Sequence, residues 1–227
     1  MSRDLAFGLL FAGILLIDIT LNNLAELSVF RYLTKPLVLG SLVVYFYLNS
    51  DHLPAKEKKY TRYGLMSLFV GDLFILGDFK TFYLVGGIIC FIVAKIFYFL
   101  AFKQQATIEK RRLTLFLSGG FIYATGLYIL IFPKVGNLLI PVTAYFLAST
   151  IMALCAFLRY RKVNTKSFLF VLGGSLLFVI CESISSINRF YDEVPYKNIL
   201  IMLTYAYAQF FIVKGMLCQG ENTSTEL

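Results

Sequence analysis

The chain has one histidine, His52, in 227 residues, and that scarcity removes several chemistries at once. His52 lies in a basic loop, so a Ser-His-Asp triad inside the apolar segments is excluded, as are multi-histidine zinc motifs such as H-E-x-x-H. No G-x-S-x-G nucleophile elbow occurs. The four cysteines, Cys90, Cys155, Cys181 and Cys218, form no CxxC pair, so neither a disulfide framework nor a zinc site is expected and all four read as small apolar packers. No metal and no cofactor is therefore expected. Charge is also scarce, at 15% of residues, against about 25% in an ordinary soluble domain.

What replaces charge is apolar surface. Hydrophobic residues make up 59% of the chain and the mean hydropathy is +0.76, more than a soluble core can hide, so lipid is the natural solvent. Eight apolar runs fall near residues 5–21, 32–48, 63–77, 80–102, 113–132, 138–158, 167–187 and 198–217. Each approaches the roughly 20 helical residues that cross a bilayer. The sequence thus predicts an all-α, polytopic bundle of eight transmembrane helices with a polar cavity, as one membrane domain over residues 1–227 that ends in a short polar tail, 218–227. Gly77-Asp78-Phe79-Lys80, Pro133, Gly136 and Pro195 mark short connections, which make neighbouring helices antiparallel. The first run has no small-residue cleavage pattern after it and is kept as a helix.

Orientation follows from the basic residues. Loops 49–62, 103–112 and 159–166 carry four Lys or Arg each, twelve together, and the opposite loops carry five: Arg31, Lys80, Lys134, Arg189 and Lys197. The excess places both termini in the cytoplasm, in the cell (inner) membrane if the source is bacterial, with the sequon Asn222-Thr223-Ser224 facing the wrong side for glycosylation. The net charge of +8 is accounted for by these clusters meeting an anionic leaflet, so no nucleic-acid partner is expected.

Few ionisable residues stand inside the apolar runs: Asp18, Lys35, Asp72, Lys95 and Glu182. A charge in hydrocarbon costs several kcal/mol unless paired or hydrated, so such residues are candidates for function. With this topology Asp18, Lys35, Asp72 and Glu182 lie in the outer half, and Arg189 caps the seventh helix. Three carboxylates and two cations then converge beneath the non-cytoplasmic face. Lys95 lies deeper and either reaches inward to the cavity or snorkels to the cytoplasmic side.

Thr34-Lys35-Pro36-Leu37, Ser67-Leu68-Phe69-Val70-Gly71-Asp72, Ala94-Lys95-Ile96-Phe97-Tyr98, Phe178 through Glu182, Asn188-Arg189-Phe190 and Thr204-Tyr205-Ala206-Tyr207-Ala208-Gln209 together resemble the YhhN-type lysoplasmalogenases, in order and spacing, over nearly the whole chain. The resemblance implies an eight-helix membrane hydrolase acting on a lysophospholipid within membrane lipid. It would cleave the vinyl ether bond of a lysoplasmalogen, releasing a fatty aldehyde and glycerophosphoethanolamine or glycerophosphocholine. Two positions depart from the family pattern: Lys95 stands where a histidine is usual, and Glu182 where an aspartate is usual.

A vinyl ether is hydrolysed by protonating its outer alkene carbon, which leaves an oxocarbenium ion for water to attack. One proton donor and one negative charge are needed, and two carboxyls in different environments divide such work. Glycosidases meet the same cation with two carboxyl groups. Asp72 and Glu182 are the expected catalytic pair. Lys35, Lys95, Arg189, Tyr205, Gln209 and Asp18 are the expected substrate-binding set, with Arg189 suited to a phosphodiester and Tyr205 and Gln209 on one face of the last helix. Structural alternatives remain: Asp72 ending a short helix, Glu182 pairing with Lys35 or Lys95, and Asp18 accepting from Asn22. Ser183, Ser185 and Ser186 read as packing residues or partners of helix carbonyls. Transport of a small solute or lipid, and silent lipid binding, are the competing functions; neither an internal repeat nor paired broken helices favour transport.

Overall fold

Helices arise here because an apolar backbone in lipid must satisfy its own amides. The computed structural model describes residues 3–24, 29–76 and 81–219, and among these no strand occurs. The helices are α1 (Arg3–Asn23), α2 (Arg31–Asn49), α3 (Ala55–Leu76), α4 (Thr81–Lys103), α5 (Lys110–Val135), α6 (Leu139–Leu158), α7 (Thr165–Phe190) and α8 (Lys197–Leu217). The connection at 77–80 and the tail at 220–227, with its sequon, lie outside the described residues.

The all-α expectation holds, but the count of eight membrane spans is not carried by length and apolarity. Five stretches among the described residues qualify: Arg3–Asn23, Phe82–Lys103, Lys110–Leu158 (α5 and α6 taken together), Thr165–Phe190 and Lys197–Leu217. Neither α2 nor α3 is among them. In α3 the reason is visible: the helix begins at Ala55, eight residues before the apolar run, and so includes Lys56, Glu57, Lys58, Lys59 and Arg62. Those residues extend it by about 12 Å at 1.5 Å per residue. The Arg62 guanidinium lies over the Tyr47 ring, 3.7 Å from its centroid. The chain is a multi-pass membrane protein.

Helix ends follow local chemistry. Asn164 caps α7 by accepting from the Ser167 amide at 2.7 Å. Pro133, expected to break the helix, is instead taken into the last turn of α5, which stops at Gly136 with φ +55°. That backbone conformation suits glycine, which has no Cβ to clash.

Seven helices close a ring. α1 packs on α2, α2 on α3, α3 on α4, α4 on α6, α6 on α7 and α7 on α8, and α8 returns to α1 and α2. α5 stands outside, against α6 and α7. Its described buried residues, Leu127, Ile131 and Val135, all lie in its second half, where they meet Val142 and Phe190. The main core runs through the ring, with Leu39, Leu42, Phe46, Leu68, Tyr98, Phe102, Ile212 and Met216 fully or almost fully buried. The outer surface carries exposed Leu9, Leu16, Ile89, Phe121, Ile122 and Leu169, the apolar jacket a bilayer covers.

Candidate active site

Among the described residues, a cavity of about 580 Å³ opens at the end of the ring where the odd-numbered helices finish and the even-numbered ones begin. Its size falls within the range usual for small-molecule sites. Lys35 from α2, Asp72 from α3, Glu182 and Arg189 from α7 and Tyr205 from α8 all line it. Five of the eight residues singled out from sequence therefore share one wall. The rest of the lining mixes Asn22, Arg31, Asn188 and Asn198 with apolar Leu84, Ile88, Phe91, Phe178, Ile201 and Met202, so the cavity presents both polar and apolar surface.

Each carboxylate has a lysine. Lys35 Nζ is 3.4 Å from Asp72 Oδ1, and the Tyr205 hydroxyl donates to Asp72 Oδ2 at 2.8 Å. Lys95 Nζ is 2.6 Å from Glu182 Oε1, with both side chains essentially unexposed. That contact is a buried ion pair. The Lys95 ammonium also lies 3.0 Å from the Tyr145 ring centroid and 5.1 Å from that of Phe178, so ring faces supplement the carboxylate. Of its two sequence options, Lys95 takes the inward one.

Ser149 on α6 holds the other Glu182 oxygen, at 2.5 Å from Oε2 and 3.0 Å from the Tyr145 carbonyl. A hydroxyl has one proton, and the shorter, charged acceptor is the carboxylate. Sequence reasoning missed Ser149 and Tyr145, because an isolated serine or tyrosine in an apolar run has no distinguishing neighbour. A polar position one turn from a tyrosine on the same helix was the signal available.

Three expected residues are not on the cavity wall. Asp18 is fully buried behind it, accepting from the Thr34 hydroxyl at 2.6 Å and facing Arg31 Nε at 3.9 Å, in place of the expected Asn22. Gln209 lies one helical turn beyond Tyr205 and accepts from the Tyr98 hydroxyl at 2.8 Å. Lys95 is held behind Glu182 and Tyr145, both of which line the cavity. Each of the three braces a residue or helix at the site. Arg189 is exposed at the mouth.

The serines that follow Glu182 divide: Ser183 meets a helix carbonyl as expected, whereas Ser185 and Ser186 stand on the cavity wall. Ser183 donates to the Val179 carbonyl at 2.8 Å, which leaves Tyr123 as donor in their 2.5 Å contact. The His52 ring contacts the Leu217 carbonyl at 2.8 Å, away from the cavity. Cys155 and Cys181 are buried, as small apolar packers are.

Lysoplasmalogenase TMEM86A of Homo sapiens is 28% identical to this chain over 158 residues, covering 66% of the chain and 61% of the human protein. The chain thus spans less than two thirds of that relative's length. No solved structure matches it. The model of the YhhN family matches residues 30–216, which include every residue of the cavity wall except Asn22; the chain belongs to the YhhN family.

Proposed function

We propose that the chain is a lysoplasmalogenase-type hydrolase that cleaves the vinyl ether of a lysophospholipid in the plane of the membrane, as an eight-span bundle with its cavity on the non-cytoplasmic side. One observation carries the proposal: Asp72 and Glu182, from α3 and α7, line a single cavity, and each has its own lysine. The family and the human relative support the reaction class.

The two carboxyls divide the work by how they are held. Glu182 is fixed by Lys95 at 2.6 Å and Ser149 at 2.5 Å, which suits a stationary negative charge facing a cation. The lysine of Asp72 is at 3.4 Å, a looser arrangement that suits a group exchanging a proton. Asp72 gives its proton to the outer alkene carbon, whose π pair forms the new C–H bond. The resulting oxocarbenium ion faces Glu182. Water adds to the cationic carbon and returns a proton to Asp72, and the hemiacetal collapses to aldehyde and glycerol hydroxyl. Protonation at carbon requires the alkene. Arg189 and Arg31, at the cavity mouth, suit the phosphodiester.

The experiment is aldehyde release from a lysoplasmalogen by detergent-purified protein. Asp72→Asn and Glu182→Gln, checked for folding, should each lower turnover about a hundredfold or more, the ordinary worth of acid or charge catalysis. A saturated alkyl analogue should bind without being cleaved, and His52→Ala should remain active. Near wild-type turnover in both folded carboxylate variants would refute the assignment.

A further inference from the structure

A second, apolar cavity of about 290 Å³ lies between α5, α6 and α7. It is lined by Leu127, Ile131, Phe146, Leu147 and Val179 among others, and Phe121, Ile129 and Leu147 on its rim are exposed, so it opens sideways onto the surface that lipid covers. Two hydroxyl-bearing residues on its wall point the same way. Tyr123 meets Ser183, next in sequence to Glu182, and Ser149 contacts Glu182 Oε2. Glu182 itself lines the polar cavity. The Ser149–Glu182 hydrogen bond therefore joins the wall of the polar cavity to the wall of the oily slot.

We propose that this slot receives the hydrocarbon chain of a single-chain lipid whose charged head occupies the polar cavity. Such a lipid changes from polar to apolar at the bond joining head to chain. That bond would then lie where the two walls join, beside Glu182. The slot's walls suit the occupant: Leu127, Ile129, Ile131, Leu147 and Val179 give them apolar surface, the Thr150 hydroxyl is turned to the Phe146 carbonyl at 2.9 Å, and a chain enters from the bilayer without crossing water. Ser149 acts as a positioning residue, holding the carboxylate at the polar-to-apolar boundary.

The identity of the bond rests on the vinyl ether reading, whereas chain occupancy does not, and the experiment separates the two. A saturated alkyl lysophosphoethanolamine with a photoreactive group at the chain end is bound to the detergent-purified protein, irradiated, and the label is mapped. Label should fall within residues 121–131 and 143–150 and be competed by the unlabelled lipid. Val179→Trp, which fills the slot, should remove it; Leu147→Trp, at an exposed rim position, serves the same end if the first variant does not fold. In hydrolysis, filling the slot should cost a long-chain lysoplasmalogen about fifteenfold in kcat/KM for two displaced methylenes, at roughly fourfold each. A short-chain substrate should be spared. Label on Phe91, Ile201 or Met202, or label indifferent to both tryptophans, overturns the slot. Correct labelling without aldehyde release by wild type overturns the vinyl ether reading alone.

Discussion

Lys95→Met tests the buried pair at the centre of the site. Lys95 and Glu182 are 2.6 Å apart with 0% and 1% side-chain exposure, so removing the lysine leaves a nearly unexposed carboxylate without its cation. Breaking a buried pair by deleting one member costs about 3–5 kcal/mol. A second route gives a similar figure. The orphaned Glu182 can take up a proton from solvent, at about 1.36 kcal/mol per pH unit above the ordinary carboxylate value of about 4.3, or about 3.7 kcal/mol at pH 7. The penalty should therefore shrink as pH falls, to about 1 kcal/mol at pH 5, because protons are supplied more cheaply there. Glu182→Gln should cost about 2 kcal/mol less than Lys95→Met, since its orphaned ammonium keeps the Tyr145 and Phe178 ring faces. The double variant should be more stable than Lys95→Met alone, as no buried charge remains. Unfolding midpoints in mixed micelles, titrated with denaturing detergent at pH 5 and pH 7, measure all three. Equal losses in the two single variants, or a double variant showing their plain sum, would refute the reasoning.

Gly174→Leu should prevent α7 and α8 from meeting, because even a Cβ there lies 2.6 Å from the Ala208 carbonyl oxygen; overpacking of this kind costs about 1–3 kcal/mol or more, read as a lowered unfolding midpoint. Reporter fusions after residues 54, 108 and 164 should report cytoplasm, and those after 134 and 193 the opposite side; a wholly reversed pattern would move the cavity to the cytoplasmic face.

Composition by itself determined the solvent. A chain with 59% hydrophobic residues has to form helices in lipid, and every interior charge then stands out against the apolar background, which is why Lys35, Asp72, Glu182 and Arg189 were legible before any coordinates. Span boundaries were legible only where apolarity and helicity coincide. They part company at α3, whose polar first turns extend the helix beyond the apolar run, and at Pro133, which α5 takes in two residues before it ends. Which lysine serves which carboxylate was beyond sequence, since a pairing such as Lys95 with Glu182 is fixed by how α4, α6 and α7 are placed in the ring. The same holds for Asp18, which turned to Thr34 and Arg31 when a local partner, Asn22, stood one turn away. Ser149 and the slot behind it belong entirely to the tertiary structure. A hydroxyl in an apolar helix carries no signal until packing brings a carboxylate to it, and a cavity exists only between helices, where no single segment of sequence encodes it.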